Sequence, residues 1–271
     1  METSDLDVVI LSDLHLGSET SRAREALRLL ASLSFRRLIL LGDIFCDLNF
    51  RRLKKEHWHF LSYVRKLSNP KRGIEVIWVE GNHDHGLTDV MSHLVGVPVF
   101  REYLWEAAGE RHLAIHGHQF DKFFAGSFLV DELATRLYVR LQKLDRGRRH
   151  FSRMLDKLDT RWQRLTPRVA KGALDYAGSR GASRVFCGHT HEAITMARNG
   201  IRYYNTGSWT NSRPTYVAIK GEVIHIQEYL EEADDCYAAQ GQDKRTECTI
   251  PESQLALALS GSLEERHAFS D

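Results

Sequence analysis

Residues able to bind a cation or move a proton gather at a few places in this sequence: Asp13 and His15, Asp43, Asn82 and His83, His116 and His118, His189 and His191. Leaving His83 and His118 aside, two carboxylates, one amide oxygen and four imidazoles form a mixed set of hard oxygen and nitrogen donors. Such a set suits Mn, Fe(II), Zn or Co better than Ca or a thiolate-bound metal. Seven donors exceed what one ion takes. Two ions roughly 3.5 to 4 Å apart, sharing a carboxylate, would use them all and form a clamp for in-line attack at phosphorus. Asp13 and His15 are two residues apart, as are His189 and His191. If extended geometry persists there, each pair points to one side and can grip one cation. Gly42, Gly81, Gly117 and Gly188 each precede a candidate ligand, where the lack of a β-carbon permits a tight turn and close backbone approach.

Such donors need a scaffold that brings distant segments together. Val8 to Ser12, Arg37 to Leu41 and Ile74 to Val79 are short β-branched or aliphatic runs. Between them, Arg22 to Leu33 and Leu53 to Leu67 have helical spacing, and a short helix is expected over Leu87 to Val95. This alternation predicts a layered α/β fold with its first strands parallel. Arg111 to Ile115, Arg184 to Cys187, Ala193 to Ala197, Ile201 to Tyr204, Thr215 to Lys220 and Glu222 to Glu228 read as further strands. Gly, Asn or Pro separates them, which predicts hairpins of a second sheet. The candidate ligands follow strand ends, where open α/β sheets bind ligands.

The ordered blocks Asp13-Leu14-His15, Gly42-Asp43, Gly81-Asn82-His83-Asp84, His116-Gly117-His118 and Gly188-His189-Thr190-His191 resemble the calcineurin-like metallophosphoesterase superfamily over residues 8 to 220. The resemblance implies a four-layer αββα sandwich and a hydrolase with two divalent ions, manganese first among the candidates. It implies that Asp13, His15, Asp43 and His191 hold one ion, that Asp43 bridges, and that Asn82, His116 and His189 complete the second site. His83 would touch the substrate phosphate or protonate the leaving oxygen, and Asp84 would orient its other ring nitrogen. Within the superfamily, Ser12 to Ser18 with Arg22, Gly42-Asp43-Ile44-Phe45 followed by Arg51 and Arg52, and His118-Gln119-Phe120-Asp121 resemble the UDP-2,3-diacylglucosamine pyrophosphohydrolases of lipid A synthesis. That resemblance implies a lipid-linked nucleotide sugar as substrate and a helical lid over an acyl groove. This chain departs from the best-known members at His83, where they carry Arg, and at His118, where an acidic residue is common.

Arg51 and Arg52 are candidates for gripping a diphosphate through bidentate hydrogen bonds, together with Asn82, or are solvated helix charges. His118 is either a support for a neighbouring ligand or a turn residue. His57, His59, His85, His93, His112 and His150 have no motif around them and read as partly exposed. Asn205-Thr206-Gly207-Ser208-Trp209 is expected to support the site without being catalytic.

Domain organisation is read as a metallophosphoesterase domain over 1–230, containing a helical lid at about 121–180, and an acidic, flexible tail over 231–271. From Asp121 to Arg184 there are 15 Lys and Arg against 7 Asp and Glu, whereas from Glu222 onward 12 acids face 3 bases. A basic helical segment carrying Phe and Leu also suits peripheral contact with an anionic membrane. With 42% hydrophobic and 27% charged residues, a disordered chain is excluded, and a formal net charge of +1 calls for no nucleic acid. No apolar run reaches the roughly 18 to 20 residues of a membrane span. Met1 to Asp7 holds acids where a leader would hold bases, and the four cysteines make no paired motif. These point to a cytoplasmic protein, peripheral at the inner membrane face if the lipid reading holds. Another phosphodiesterase or nucleotide pyrophosphatase of the superfamily, and a fold that keeps its shape without activity, are the alternatives.

Overall fold

The computed structural model describes residues 5–84, 92, 96–121 and 160–230. Its first sheet contains the parallel strands β1 (Leu6–Leu11), β2 (Phe35–Leu41) and β3 (Glu75–Val79), with Val8 opposite Arg37 and Ile39 opposite Ile77. The helices α1 (Ala23–Ser32) and α2 (Lys55–Leu67) lie between them in the chain, and the short β4 (Val99–Phe100) follows. The second sheet holds β5 (Tyr103–Ala107), β6 (Glu110–Ala114), β7 (Arg184–Cys187), β8 (Ile194–Arg198) and β9 (Ile201–Asn205). The helix α3 (Thr160–Ser179) precedes β7, and β10 (Thr215–Lys220) and β11 (Val223–Glu228) end the described chain. Strand order is β11-β10-β1-β2-β3-β4 in one sheet and β5-β6-β7-β9-β8 in the other.

Strand periodicity divides the interior into three apolar layers. Val9, Leu11, Leu38, Leu40 and Trp78 pack against Ala26, Leu30, Phe60 and Val64 of α1 and α2. Their neighbours Val8, Ile10, Ile39, Leu41, Ile77 and Val79 turn the other way, onto Trp105, Ala114, Phe186 and Tyr204 of the second sheet. The far face of that sheet, with Leu113, Val185 and Tyr203, is covered by Ala170, Ala173, Leu174 and Ala177 of α3. Small residues at helical spacing let α3 lie close on the strands. The result is an αββα sandwich in which β1 to β3 are buried on both faces. Each fully buried aliphatic side chain contributes roughly 1.5–3 kcal/mol.

The expectation that every strand after Arg111 forms a hairpin of one second sheet is corrected in two respects. β10 leaves that sheet and pairs antiparallel with β1, with Val8 opposite Ile219, and β11 follows it. β6, β7 and β9 are parallel neighbours. The continuous apolar run Tyr216 to Ile219 is buried on both faces, but the local sequence carries no information about which strand supplies the partner. β5, absent from the expected elements, pairs with β6 through Ala108-Gly109, both at positive φ (51° and 72°), which matches the twist of a hairpin. The expected helix over 87–95, apart from residue 92, the lid over 122–159 and the tail over 231–271 lie outside the described residues. Residues 160–179 of the expected lid are α3, a layer of the core. Among the described residues no helix is long and apolar enough to cross a membrane.

Candidate metal centre

The loops leaving β1, β2, β3, β6 and β7 carry the candidate ligands, as expected from the strand ends, but not in extended geometry. Asp13, His15, Asp43, His189 and His191 all have left-handed backbones, with φ of 51°, 47°, 49°, 68° and 56°. The two-residue spacing therefore works through turns rather than through a continued strand. A non-glycine residue in this region costs roughly 1–2 kcal/mol, so five together require support from the surroundings. Asp13 N donates to Gly42 O at 3.1 Å, His15 N to Asp43 O at 3.0 Å, and Gly188 N to His116 O at 3.1 Å. Each ligand loop is thus tied to another.

These ties leave one oxygen of each carboxylate for the centre. Asp13 Oδ2 accepts from Ser12 Oγ at 2.5 Å and from His189 N at 3.1 Å. Its Oδ1 faces His191 Nε2 at 3.1 Å, His116 Nε2 at 3.5 Å and His15 Nε2 at 3.8 Å. Asp43 Oδ1 accepts from His83 N at 2.9 Å, while Oδ2 faces His116 Nε2 at 3.6 Å and His83 Nε2 at 3.9 Å. Both glycines beside these carboxylates are required by space. A β-carbon on Gly81 would lie 2.2 Å from Asp43 Oδ1, and one on Gly188 would lie 2.3 Å from Asp13 Oδ2.

Three interlocking groups result: Asp13, His15 and His191; His15, Asp43 and His83; Asp43, His116 and His189. Within each, one donor atom per residue lies within 4.8 Å of the others. Asn82 Oδ1 is buried without a hydrogen-bond partner among the described residues, although a buried amide oxygen is expected to have one. Carboxylate, amide and imidazole donors with an orphaned oxygen beside them fit divalent cations.

Electrostatics within the cluster run in opposite directions. Burial drives His15 down to about 3 against the attraction of Asp43. Burial also works against charge on His116, but Asp43 and Asp13 outweigh it and raise that ring to about 9. Asp43 would be raised by burial, yet His116, His83 and His15 bring it to about 2.

His83 is half-buried at the rim, and its Nδ1 lies 2.8 Å from the Cys46 carbonyl. That contact corrects the role expected for Asp84. Rather than orienting the His83 ring, Asp84 is buried and accepts from the backbone N–H groups of Ile44 (2.9 Å) and Phe45 (2.8 Å). Burial and the nearby Asp43 charge raise its carboxyl to about 7. It ties the Asn82 loop to the Asp43 loop. Arg51 and Arg52 ride on a one-turn 3-10 helix; Arg51 is exposed, while Arg52 is ion-paired to Asp47 and touches Cys46 Sγ.

Of the histidines expected to be partly exposed, His57 and His112 are buried. His57 Nδ1 accepts from Gly17 N and Lys54 N at the start of α2, and the His112 ring stacks edge-on to Trp105 between the sheets. His59 is half-buried, and His85, His93 and His150 lie outside the described residues. The segment Asn205 to Trp209 braces the centre: Thr206 Oγ1 is 2.5 Å from Ser12 Oγ, and Trp209 N donates to Asp13 O at 3.1 Å. Sequence reasoning assigned no role to Ser12 or to the Cys46 carbonyl. The serine was visible beside Asp13, whereas a backbone carbonyl leaves no mark in residue type.

Residues 6–226 match the family model described as the calcineurin-like phosphoesterase superfamily domain. No curated protein matches the chain. Solved structures with similarity include a Vps29 single mutant from Entamoeba histolytica, at 16% identity over 82% of this chain and 90% of that one, with a TM-score of 0.45. A conserved uncharacterized protein from Streptococcus pneumoniae TIGR4, described as a predicted phosphoesterase, is 17% identical over 82% and 88%, with a TM-score of 0.37. A novel archaeal phosphodiesterase is 14% identical over 82% and 98%, with a TM-score of 0.45.

Proposed function

The chain belongs to the calcineurin-like phosphoesterase superfamily, and from that premise we propose that it is a phosphohydrolase working with two divalent cations. The observation that carries this reading is the division of labour at Asp13 and Asp43, each with one oxygen held by the protein and the other turned toward imidazoles. Asp13, His15, Asp43 and His191 would hold one cation, and Asp43, Asn82, His116 and His189 the other. When bound, such cations supply Lewis acidity at the phosphoryl group and a water that is nucleophilic near neutral pH.

The chain's own residues would bind, orient and move a proton. Asn82 and His83 face the phosphoryl oxygens in this reading. With its Nδ1 set against the Cys46 carbonyl, His83 must keep a proton on that nitrogen, so Nε2 donates only when the ring is an imidazolium. His83 would act in that form, giving the Nε2 proton to the leaving oxygen as the phosphorus–oxygen bond breaks. Asp84 holds the loops that carry Asp43 and Asn82 together.

For the substrate, the reading is a diphosphate such as UDP-2,3-diacylglucosamine, cleaved to UMP and the acylated sugar phosphate at the inner membrane face. What supports it is the motif resemblance around Ser12 to Ser18, Asp43 and His118 to Asp121. Arg51, exposed next to the Asp43 loop, is free to meet the diphosphate, while Arg52 would have to leave Asp47. The test is hydrolysis of that lipid by Mn-loaded protein beside a simple aryl phosphodiester, with the released nucleotide identified. Faster cleavage of the lipid with UMP release supports the assignment. Cleavage of the aryl diester alone would keep the reaction class and discard this substrate, and turnover unchanged after removal of metal would discard the mechanism.

A further inference from the structure

Two of the proposed ligands are gripped from behind by side chains that have no part in the reaction. His189 directs Nε2 at Asp121 Oδ2, 3.5 Å away, and both residues are buried. His116 directs Nε2 at the carboxylates and Nδ1 at His118 Nδ1, 3.1 Å away. Both contacts lie on the half of the centre made by Asp43, His116 and His189.

A neutral imidazole offers one lone pair, and the hydrogen bond at its other nitrogen decides which nitrogen keeps it. Asp121 accepts only, so it holds the His189 proton on Nε2 and leaves the lone pair on Nδ1. For His116 to present a lone pair at Nε2, its proton must sit on Nδ1 and be donated to His118 Nδ1. His118 then carries its own proton on Nε2. Resting on the two-cation reading above, we propose that Asp121 and His118 are positioning residues for the second cation, fixing the tautomers of His189 and His116.

The test is Mn(II) binding to the full chain, followed by calorimetry and electron paramagnetic resonance. Wild type should bind two ions per chain and show the spectrum of a coupled pair. Asp121→Ala should weaken the second ion about 10- to 100-fold, the range for loss of a hydrogen-bond partner behind a ligand, with affinity for the first unchanged. Subsaturating Mn(II) should then give an isolated-ion spectrum. Asp121→Asn keeps an acceptor oxygen and should restore much of the loss, which a defect of folding would not do. His118→Phe, which fills the space without accepting a proton, should weaken the same ion. A wild-type chain that binds no pair would overturn both this inference and the function it rests on. A wild-type pair retained with equal affinity in Asp121→Ala and His118→Phe would overturn this inference alone.

Discussion

Each carboxylate of the centre does two jobs, and substitutions can separate them. Asp43→Asn keeps an oxygen to accept from His83 N and tolerates the left-handed backbone at φ 49°, but it removes the charge between the histidines. Turnover should fall by about 10²–10³-fold or more, while the thermal midpoint of the metal-free chain at pH 9, where the pairing with His116 no longer contributes, stays near wild type. A large drop in that midpoint would instead make Asp43 structural. His83→Ala should lower kcat by about 10²–10⁴-fold with both cations retained, and by less on an aryl ester whose leaving group needs no proton. Equal losses on both substrates would remove His83 from the proton transfer. Residue identity alone made the donors visible, because carboxylates and imidazoles at strand ends have few other uses. It could not reveal that Asp84 bonds the Ile44 and Phe45 backbone, since a carboxylate beside a histidine reads the same whichever neighbour it accepts from.

At the scale of elements, the strands and helices other than β4 and β5 were legible from periodicity, and their partners were not. β1 to β3 announced themselves as short β-branched or aliphatic runs, and parallel order followed from the intervening helices. Thr215 to Lys220 was likewise read as a strand and is β10, but its return to β1 was not, because that is decided by which sheet edge is open, a property of no local segment. The turns after β1, β2 and β7 show the limit most clearly. Spacing located Asp13 and His15, but their left-handed backbones come from bonds to Gly42 and Asp43, far away in sequence. The same packing makes Gly188 irreplaceable. Its β-carbon would overlap both Asp13 Oδ2 at 2.3 Å and Ser12 Oγ at 2.7 Å. Gly188→Ala should cost about 1–3 kcal/mol in urea unfolding and weaken the cation held by Asp13. Unchanged stability and unchanged binding would mean that the two loops can separate without consequence.

Across the whole molecule, the proposed cation binding would be linked to folding through protons. Ordinary histidine titrates near 6.5, and His116 is held at about 9, mainly by Asp43 once burial has been overcome. A cation needs that lone pair, so binding near neutral pH must expel a proton. Affinity should therefore fall as pH drops, by about tenfold per unit for each proton displaced. Calorimetry in two buffers of different ionisation enthalpy reads that release directly, and release of no proton at pH 7 would show that His116 is already neutral or does not bind. The same shift sets how the metal-stripped chain responds to pH. A folded-state value above the unfolded one contributes stability that is complete below 6.5 and disappears as pH rises toward 9. The stripped chain should thus lose stability across this window, where the cations bind best. A saturating cation at 100 times its Kd adds about 2.7 kcal/mol per site. The gap in melting temperature between loaded and stripped protein should consequently widen from pH 6.5 to 9; a constant gap would uncouple the cluster's protonation from its cations.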